Sequence, residues 1–62
     1  MSVRYFNRAL IPNTEGARLL VGYGDGTETI VTVAKTPNTG THYISGHATG
    51  KVTQDVLWWE YA

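Results

Sequence analysis

The side chains best suited to chemistry lie between positions 42 and 47, where two histidines flank a serine. His42 and His47 are the only histidines in the chain, and Ser45 lies between them. A nucleophilic serine needs its base at about 3 Å, whereas residues two apart on a strand are separated by roughly 6.6 Å. Nothing in the sequence places Asp55 where it could orient the base. We therefore predict that the protein is not an enzyme.

A metal site at these histidines would need further ligands. Structural zinc sites are built largely from Cys and His side chains, and the chain contains no cysteine. Three carboxylates are the remaining candidates: Glu28, Asp55 and Glu60. Because the sequence brings none of them to the histidines, we predict no metal and no other cofactor.

The segment "SGHATGKV", residues 45–52, resembles a phosphate-binding loop only in part. That loop requires G-x-x-x-x-G-K-[ST], so that backbone amides surround the phosphates and a hydroxyl reaches magnesium. Here Ser45 stands in place of the first glycine and Val52 in place of the hydroxyl residue. We interpret the segment as a glycine-bounded turn.

Two adjacent tryptophans near the C-terminus carry the strongest functional signal. On a strand Trp58 and Trp59 must point to opposite faces, and on a helix they would lie about 100° apart. A chain of 62 residues buries only about 60% of the surface that its unfolded form exposes. We therefore expect one indole to be exposed, and to form a protein-binding patch with Tyr61. Arg4 and Arg8 would supply orienting charges at that patch.

Composition limits the classes of partner. Five basic residues balance five acidic ones, so there is no overall attraction to nucleic acid or to an acidic membrane. No apolar run reaches the roughly 18 residues of a membrane span, and the N-terminus lacks a signal-peptide pattern. We expect a complete, soluble, cytoplasmic protein that makes no contact with a membrane. Its small size and the lack of cysteine favour stabilisation by a homo-oligomer or by a larger partner.

The elements that must position these residues are mainly strands. Asp25-Gly26, between two runs rich in β-formers, predicts a hairpin over residues 17–35 with a type I′ turn. Alternation predicts strands at residues 2–10 and 42–45 as well, separated by proline- and glycine-containing loops.

The last stretch, residues 51–61, allows two interpretations. Period 2 puts Val56 and Trp58 on one face and Trp59 and Tyr61 on the other, whereas a helix would align Val56 with Trp59. The density of aromatic residues favours the strand, and a short helix is the alternative. We predict an all-β single domain over residues 1–62, an antiparallel sheet of four to five strands that curls at most into a partial barrel.

The N-terminal "VRYFN", residues 3–7, resembles the "VKWFN" that opens cold-shock domains, which are small five-stranded barrels. In that family aromatic side chains stack on bases while nearby cations hold the backbone. The resemblance implies that Tyr5 and Phe6 stack on bases and that Arg4 and Arg8 contact the nucleic-acid backbone. The chain lacks the family's "KGFGFI" and "VFVHF" strands, and its charge is zero, so nucleic-acid binding is the alternative rather than the leading hypothesis.

The segments "NTEGARLLVGYGDG" and "VLWWEYA" resemble a hairpin and a terminal aromatic strand found in small β-rich accessory proteins of phages and prophages. Many such proteins bind and block a host enzyme or defence complex. The resemblance implies a non-enzymatic inhibitor that binds a larger protein in a bacterial cytoplasm. A self-associating structural subunit, which would add its edge strand to a neighbour, is a further alternative.

Overall fold

The computed structural model describes residues 3–62, which form one antiparallel sheet around one core. The sheet has four strands, β1 (Arg18–Tyr23), β2 (Glu28–Lys35), β3 (His42–Ser45) and β4 (Val56–Tyr61). Their order is β3-β2-β1-β4, and all three pairings are antiparallel. The all-β prediction is confirmed, and the sheet does not close into a barrel. Met1 and Ser2, which the predicted domain and the predicted first strand included, lie outside the described residues.

The central hairpin is confirmed, but its turn differs from the predicted type. Tyr23 N donates to Thr27 O at 2.8 Å and Gly26 N donates to Tyr23 O at 3.0 Å, which defines a three-residue loop. Gly26 has φ of +92°, and no other residue type among residues 3–62 has a positive φ. A type I′ turn would have required Asp25 to adopt a positive φ too. The longer loop confines that conformation to glycine, while the Asp25 carboxylate accepts a hydrogen bond from Thr27 N at 2.9 Å.

The N-terminal segment contributes one point of strand pairing instead of the strand predicted for residues 2–10. Tyr5 and Trp59 exchange backbone hydrogen bonds of 2.8 and 2.9 Å. Two residues later the Asn7 side chain accepts a backbone hydrogen bond and begins a 3-10 turn at Arg8–Leu10. Asn side chains that bond to nearby backbone compete with strand pairing in this way.

The C-terminal segment is a strand, as its aromatic content favoured, and only Thr53–Asp55 before it forms a 3-10 turn. The register with β1 shifts between Gly22, which pairs with Trp58, and Tyr23, which pairs with Val56. The extra residue of this bulge, which is Leu57, changes the alternation of faces. The prediction that Val56 shares a face with Trp58 was therefore wrong.

The two faces of the sheet differ in how much of the chain covers them. The inner face carries the core, seven buried side chains: Leu19, Val21, Tyr23, Val31, Val33, Val56 and Trp59. Residues of the N-terminal segment and of the 46–55 loop pack against it, among them Tyr5, Ile11 and Ala48. We call the opposite side the open face. It carries the alternate residues of each strand, of which only Gly22, Trp58 and Glu60 are buried.

No helix within residues 3–62 is long and apolar enough to cross a membrane.

A close contact on the open face generates the first prediction. An added Cβ at Gly22 would lie 2.1 Å from Cε2 of Trp58, whereas one at Gly24 would meet nothing within 4 Å. We expect Gly22→Ala to lower the free energy of unfolding by about 1–3 kcal/mol, because the indole must shift off the sheet. Gly24→Ala, the matched control, should melt within a few degrees of wild type. Thermal denaturation followed by circular dichroism measures both, and equal melting temperatures would contradict the assigned packing.

Candidate functional site

Trp59 joins the N-terminal segment to the core. Its side chain is only 1% exposed. The Tyr5 ring stacks on the indole with centroids 4.5 Å apart, and Trp59 Nε1 donates to Asn7 O at 3.0 Å. Tyr61 meets the indole edge-on at 5.3 Å but is itself 57% exposed. The ring is therefore a structural element of the inner face.

Trp58 lies flat on the open face and is covered from within the chain. Gly22 leaves the space that its indole occupies, and Arg4 lies above it with Cζ 3.6 Å from the ring centroid. The same guanidinium is 3.8 Å from a carboxylate oxygen of Glu60. A cation above an aromatic face gains electrostatic energy, and more so where water is partly excluded. Arg4 and Gly22 together reduce the exposure of Trp58 to 7%.

The expectation of an exposed indole was wrong. Alternation along β4 does send Trp58 and Trp59 to opposite faces, as predicted, but both rings are buried in the single chain. Tyr61 stays exposed on the inner side, and Arg4 lies on the open side, so the residues predicted to form one patch are divided between two faces. A glycine and an arginine that are distant in sequence enclose the ring on an otherwise open face, and no local pattern signals this contact.

Arg8 also makes internal contacts. Its Nη1 donates to the carbonyl oxygens of Gln54 and Val56 at 2.9 and 3.0 Å, which ties the N-terminal segment to the start of β4. Phe6 is exposed, whereas Tyr5 stacks on Trp59. Since Arg4 and Arg8 both make contacts within the chain, the geometry adds no support to nucleic-acid binding, which stays a prediction.

His47 anchors the 46–55 loop instead of acting as a base for Ser45. Its Nδ1 lies 2.7 Å from the Tyr23 hydroxyl and its Nε2 lies 3.1 Å from Thr53 Oγ1. The hydroxyl also accepts from Ala48 N at 3.3 Å. All these bonds are satisfied when His47 is neutral with its proton on Nε2, because the Tyr23 hydroxyl then donates to Nδ1. Burial lowers the pKa of His47 below its ordinary value of 6.5, against the opposing charge of Asp55.

The remaining chemical motifs likewise hold the fold together. Lys51, the lysine of the incomplete phosphate loop, forms an ion pair of 2.6 Å with Asp25 at the hairpin turn. That contact and the Thr27 hydrogen bond hold the pKa of Asp25 well below its ordinary value. Within residues 3–62 no group of three or more His, Cys, Asp or Glu side chains is placed to hold a metal ion.

The outer margin of β3 has backbone groups that are not paired with another described strand. In an antiparallel ladder, hydrogen-bonded residue pairs alternate with pairs that are not bonded to each other. Thr36 N donates to Thr41 O at 2.8 Å in the turn before β3, so this is a hydrogen-bonded pair and the alternation can be counted from it. Tyr43 and Ser45 therefore bond to β2, while the N–H and C=O groups of His42 and Ile44 point away from it. No described strand pairs with that side. β4 differs, because Tyr5 pairs with it on its far side.

A groove lies beside this edge. Its volume is about 350 Å³, and it separates β3 from the N-terminal segment 8–13. Polar and apolar residues both contribute to the lining: Arg8, Ala9, Ile11, Pro12, Asn13, Val33, His42, Tyr43, Ile44 and Thr53. No carboxylate is among these residues. The edge and the groove together form the β3 site, which is the candidate binding site of the described chain.

The residue pattern of β3 predicts a strand, as observed, but does not by itself place that strand at the edge of the sheet. One signal was available, since the four residues "HYIS" include none of the lysines or prolines that commonly protect edges. Their position at the margin of the sheet depends on β1 pairing with β4 across a long loop, which local pattern does not encode.

No protein-family model matches the chain, and no curated protein or solved structure matches it. The resemblance to phage accessory proteins therefore stays a prediction.

Trp59→Ala tests the burial of the second indole. We expect a loss of about 3–5 kcal/mol in the free energy of unfolding, because the substitution leaves a cavity between the core and the Tyr5 ring. Tyr61→Ala, the matched control on the same strand, should cost about 1 kcal/mol or less, since that ring is largely exposed. Urea denaturation followed by fluorescence of the remaining Trp58 provides the measurement. A folded Trp59→Ala variant as stable as wild type would show that the assigned core is wrong.

The stability of the protein should fall in mild acid through His47. Its pKa is lower in the folded than in the unfolded chain, so the unfolded state binds more protons as the pH drops below about 6.5. We expect a free energy of unfolding that is nearly constant just above neutral pH and declines as the pH falls below about 6.5.

His47→Gln should remove this decline, and His42→Gln, the control at the other histidine, should retain it. Urea titrations at a series of pH values test both variants. A decline that persists unchanged in His47→Gln would rule out His47 as its source.

Proposed function

We propose that this protein is a non-enzymatic binding module that captures an extended segment of another protein by strand addition at β3. The observation that carries the proposal is the set of outward N–H and C=O groups at His42 and Ile44, on a margin that no described strand occupies. Such a row of backbone groups is complementary to one kind of partner, a polypeptide in the β conformation.

The groove gives the added strand a means of selection. Side chains of a strand alternate between faces, so every second residue of the bound segment would lie on the inner side, beside the groove. His42 and Ile44 line both the edge and the groove, which joins backbone pairing to side-chain recognition. Main-chain hydrogen bonds would supply affinity, and the groove would choose among sequences.

The lining of the groove indicates which segments fit. Ile11, Val33 and Ile44 provide apolar surface, and Arg8 adds a positive charge with no carboxylate among its neighbours in the lining. An apolar side chain flanked by an acidic or uncharged residue therefore suits the groove better than a basic segment does. The partner is expected to be larger than this module and to expose such a segment in a loop or a terminus.

Inhibition is one form that this activity would take. A module that occupies an edge-pairing segment of an enzyme or complex prevents that segment from making its own contacts. The resemblance to phage accessory proteins supports this form of the proposal, and Tyr61, exposed at the end of β4, would then contact the partner only as a secondary surface.

His42→Pro tests strand addition directly. Proline removes the amide of residue 42, which points away from β2, so the internal ladder does not lose a hydrogen bond. Binders are first selected from a library of random linear peptides against the wild-type protein. We expect His42→Pro to weaken their binding at least about tenfold, equivalent to about 1.4 kcal/mol. His42→Ala, which keeps the amide and removes the ring, should bind backbone-paired peptides far better than His42→Pro does.

Hydrogen exchange supplies the second readout. A selected peptide should protect the amides of His42 and Ile44 from exchange, and methylation of alternate peptide nitrogens should abolish binding only at those that pair with β3. Circular dichroism verifies that both variants are folded. Failure to select any peptide, or protection that maps elsewhere while His42→Pro binds normally, would overturn the proposal.

A further inference from the structure

The open face is a second surface that the proposed function does not use. The described chain measures 34 × 29 × 17 Å, and the segments that pack on the core cover the inner face. On the open face Ile30 is 42% exposed and Leu20 is half-buried, and Tyr43, which also lines the groove, is 50% exposed. A thin sheet with apolar side chains on its uncovered side is commonly completed by a second layer.

Two opposite charges lie on either side of the apolar centre of the open face. Leu20 lies opposite Ile30 at the middle of the β1–β2 pair. Arg18 lies two residues from Leu20 toward one end of the sheet, and Glu28 lies two residues from Ile30 toward the other end. The two charges are therefore separated by about 14 Å along the strands, with the apolar pair halfway between them.

Neither of these charges is used inside the chain. Arg18 and Glu28 are exposed, and among residues 3–62 the ion pairs join other residues, Arg4 with Glu60 and Lys51 with Asp25. Arg4 covers Trp58 and forms its ion pair with Glu60. The β1–β2 pair lies in the middle of the open face. Its charges without an ion pair are thus one positive and one negative group, placed on either side of an apolar centre.

We infer that the open face binds the open face of a second copy of this chain, in a symmetric dimer. A two-fold axis over the Leu20–Ile30 pair, perpendicular to the line from Arg18 to Glu28, brings Arg18 of each copy to Glu28 of the other. The contact is self-complementary, as a two-fold interface requires, and each ion pair occurs twice. The apolar centres meet face to face, at the roughly 10 Å spacing of stacked sheets.

The described chain is broad enough to contain a contact of ordinary size. Stable interfaces bury about 800 Å² on each partner, and the two longest dimensions of the whole described chain are 34 and 29 Å. The dimer would be a sandwich of two sheets with the inner faces outward. Its β3 edges would remain at the margins, so that each dimer could capture two extended segments.

Charge reversal with rescue tests the inference. Arg18→Glu and Glu28→Arg each replace two ion pairs of the dimer by two like-charge contacts, and the double variant restores opposite charges across the interface. We expect each single variant to raise the dimer dissociation constant at least about tenfold, and the double variant to recover most of that loss. Lys35→Glu, a charge reversal at the end of β2 among the inner-face residues, is the matched control and should dimerise as wild type does. Sedimentation velocity over a range of protein concentrations measures all four variants.

Three outcomes would overturn the inference. The first is a wild-type protein that sediments as a monomer at every concentration. The second is a double variant no better than the singles. The third is a dimer that His42→Pro abolishes, because that result would assign the contact to the β3 edge. Peptide capture by β3 does not depend on the open face, so a failure here leaves the proposed function to its own test.

Discussion

The fold depends on one indole placed where three parts of the chain meet. Trp59 pairs through its backbone with Tyr5, stacks with the ring of the same residue, and donates from Nε1 to Asn7 O. Its side chain also completes the core between β1 and β4. In a larger domain a second layer of secondary structure would bury this face of the sheet. Here one large side chain, which contacts both the N-terminal segment and the core, provides part of that burial.

The 46–55 loop covers the other part of the inner face, and a polar anchor holds it there. The Tyr23 ring belongs to the core, while its hydroxyl bonds to His47 and Ala48 of the loop. The bond between Lys51 and Asp25 adds a second attachment at the hairpin turn. Residues whose types suggested catalysis or phosphate binding thus hold a loop on a sheet, a role that uses the same donors and acceptors.

The two surfaces proposed to bind partners are those that the described segments leave uncovered. The chain has enough length to cover one face and to pair one margin of the sheet, at Tyr5. The β3 edge and the open face remain, and they present different chemistry. The edge offers backbone hydrogen bonds to an extended segment, whereas the open face offers an apolar centre between opposite charges.

Local pattern determined the strands, the central hairpin and the opposite orientation of Trp58 and Trp59, because alternation and turn chemistry act over a few residues. It did not determine the bulge at Leu57, which reassigns Val56 to the core, or the replacement of the first strand by a turn after Asn7. The residues of the predicted patch, Trp58, Trp59, Tyr61, Arg4 and Arg8, do not form one exposed cluster, because local pattern does not specify contacts between distant residues. The exposure of a ring depends on which distant residues lie above it, and only the tertiary structure brings Gly22 and Arg4 to Trp58. The order of the strands, which also depends on distant contacts, makes β3 the unpaired margin of the sheet.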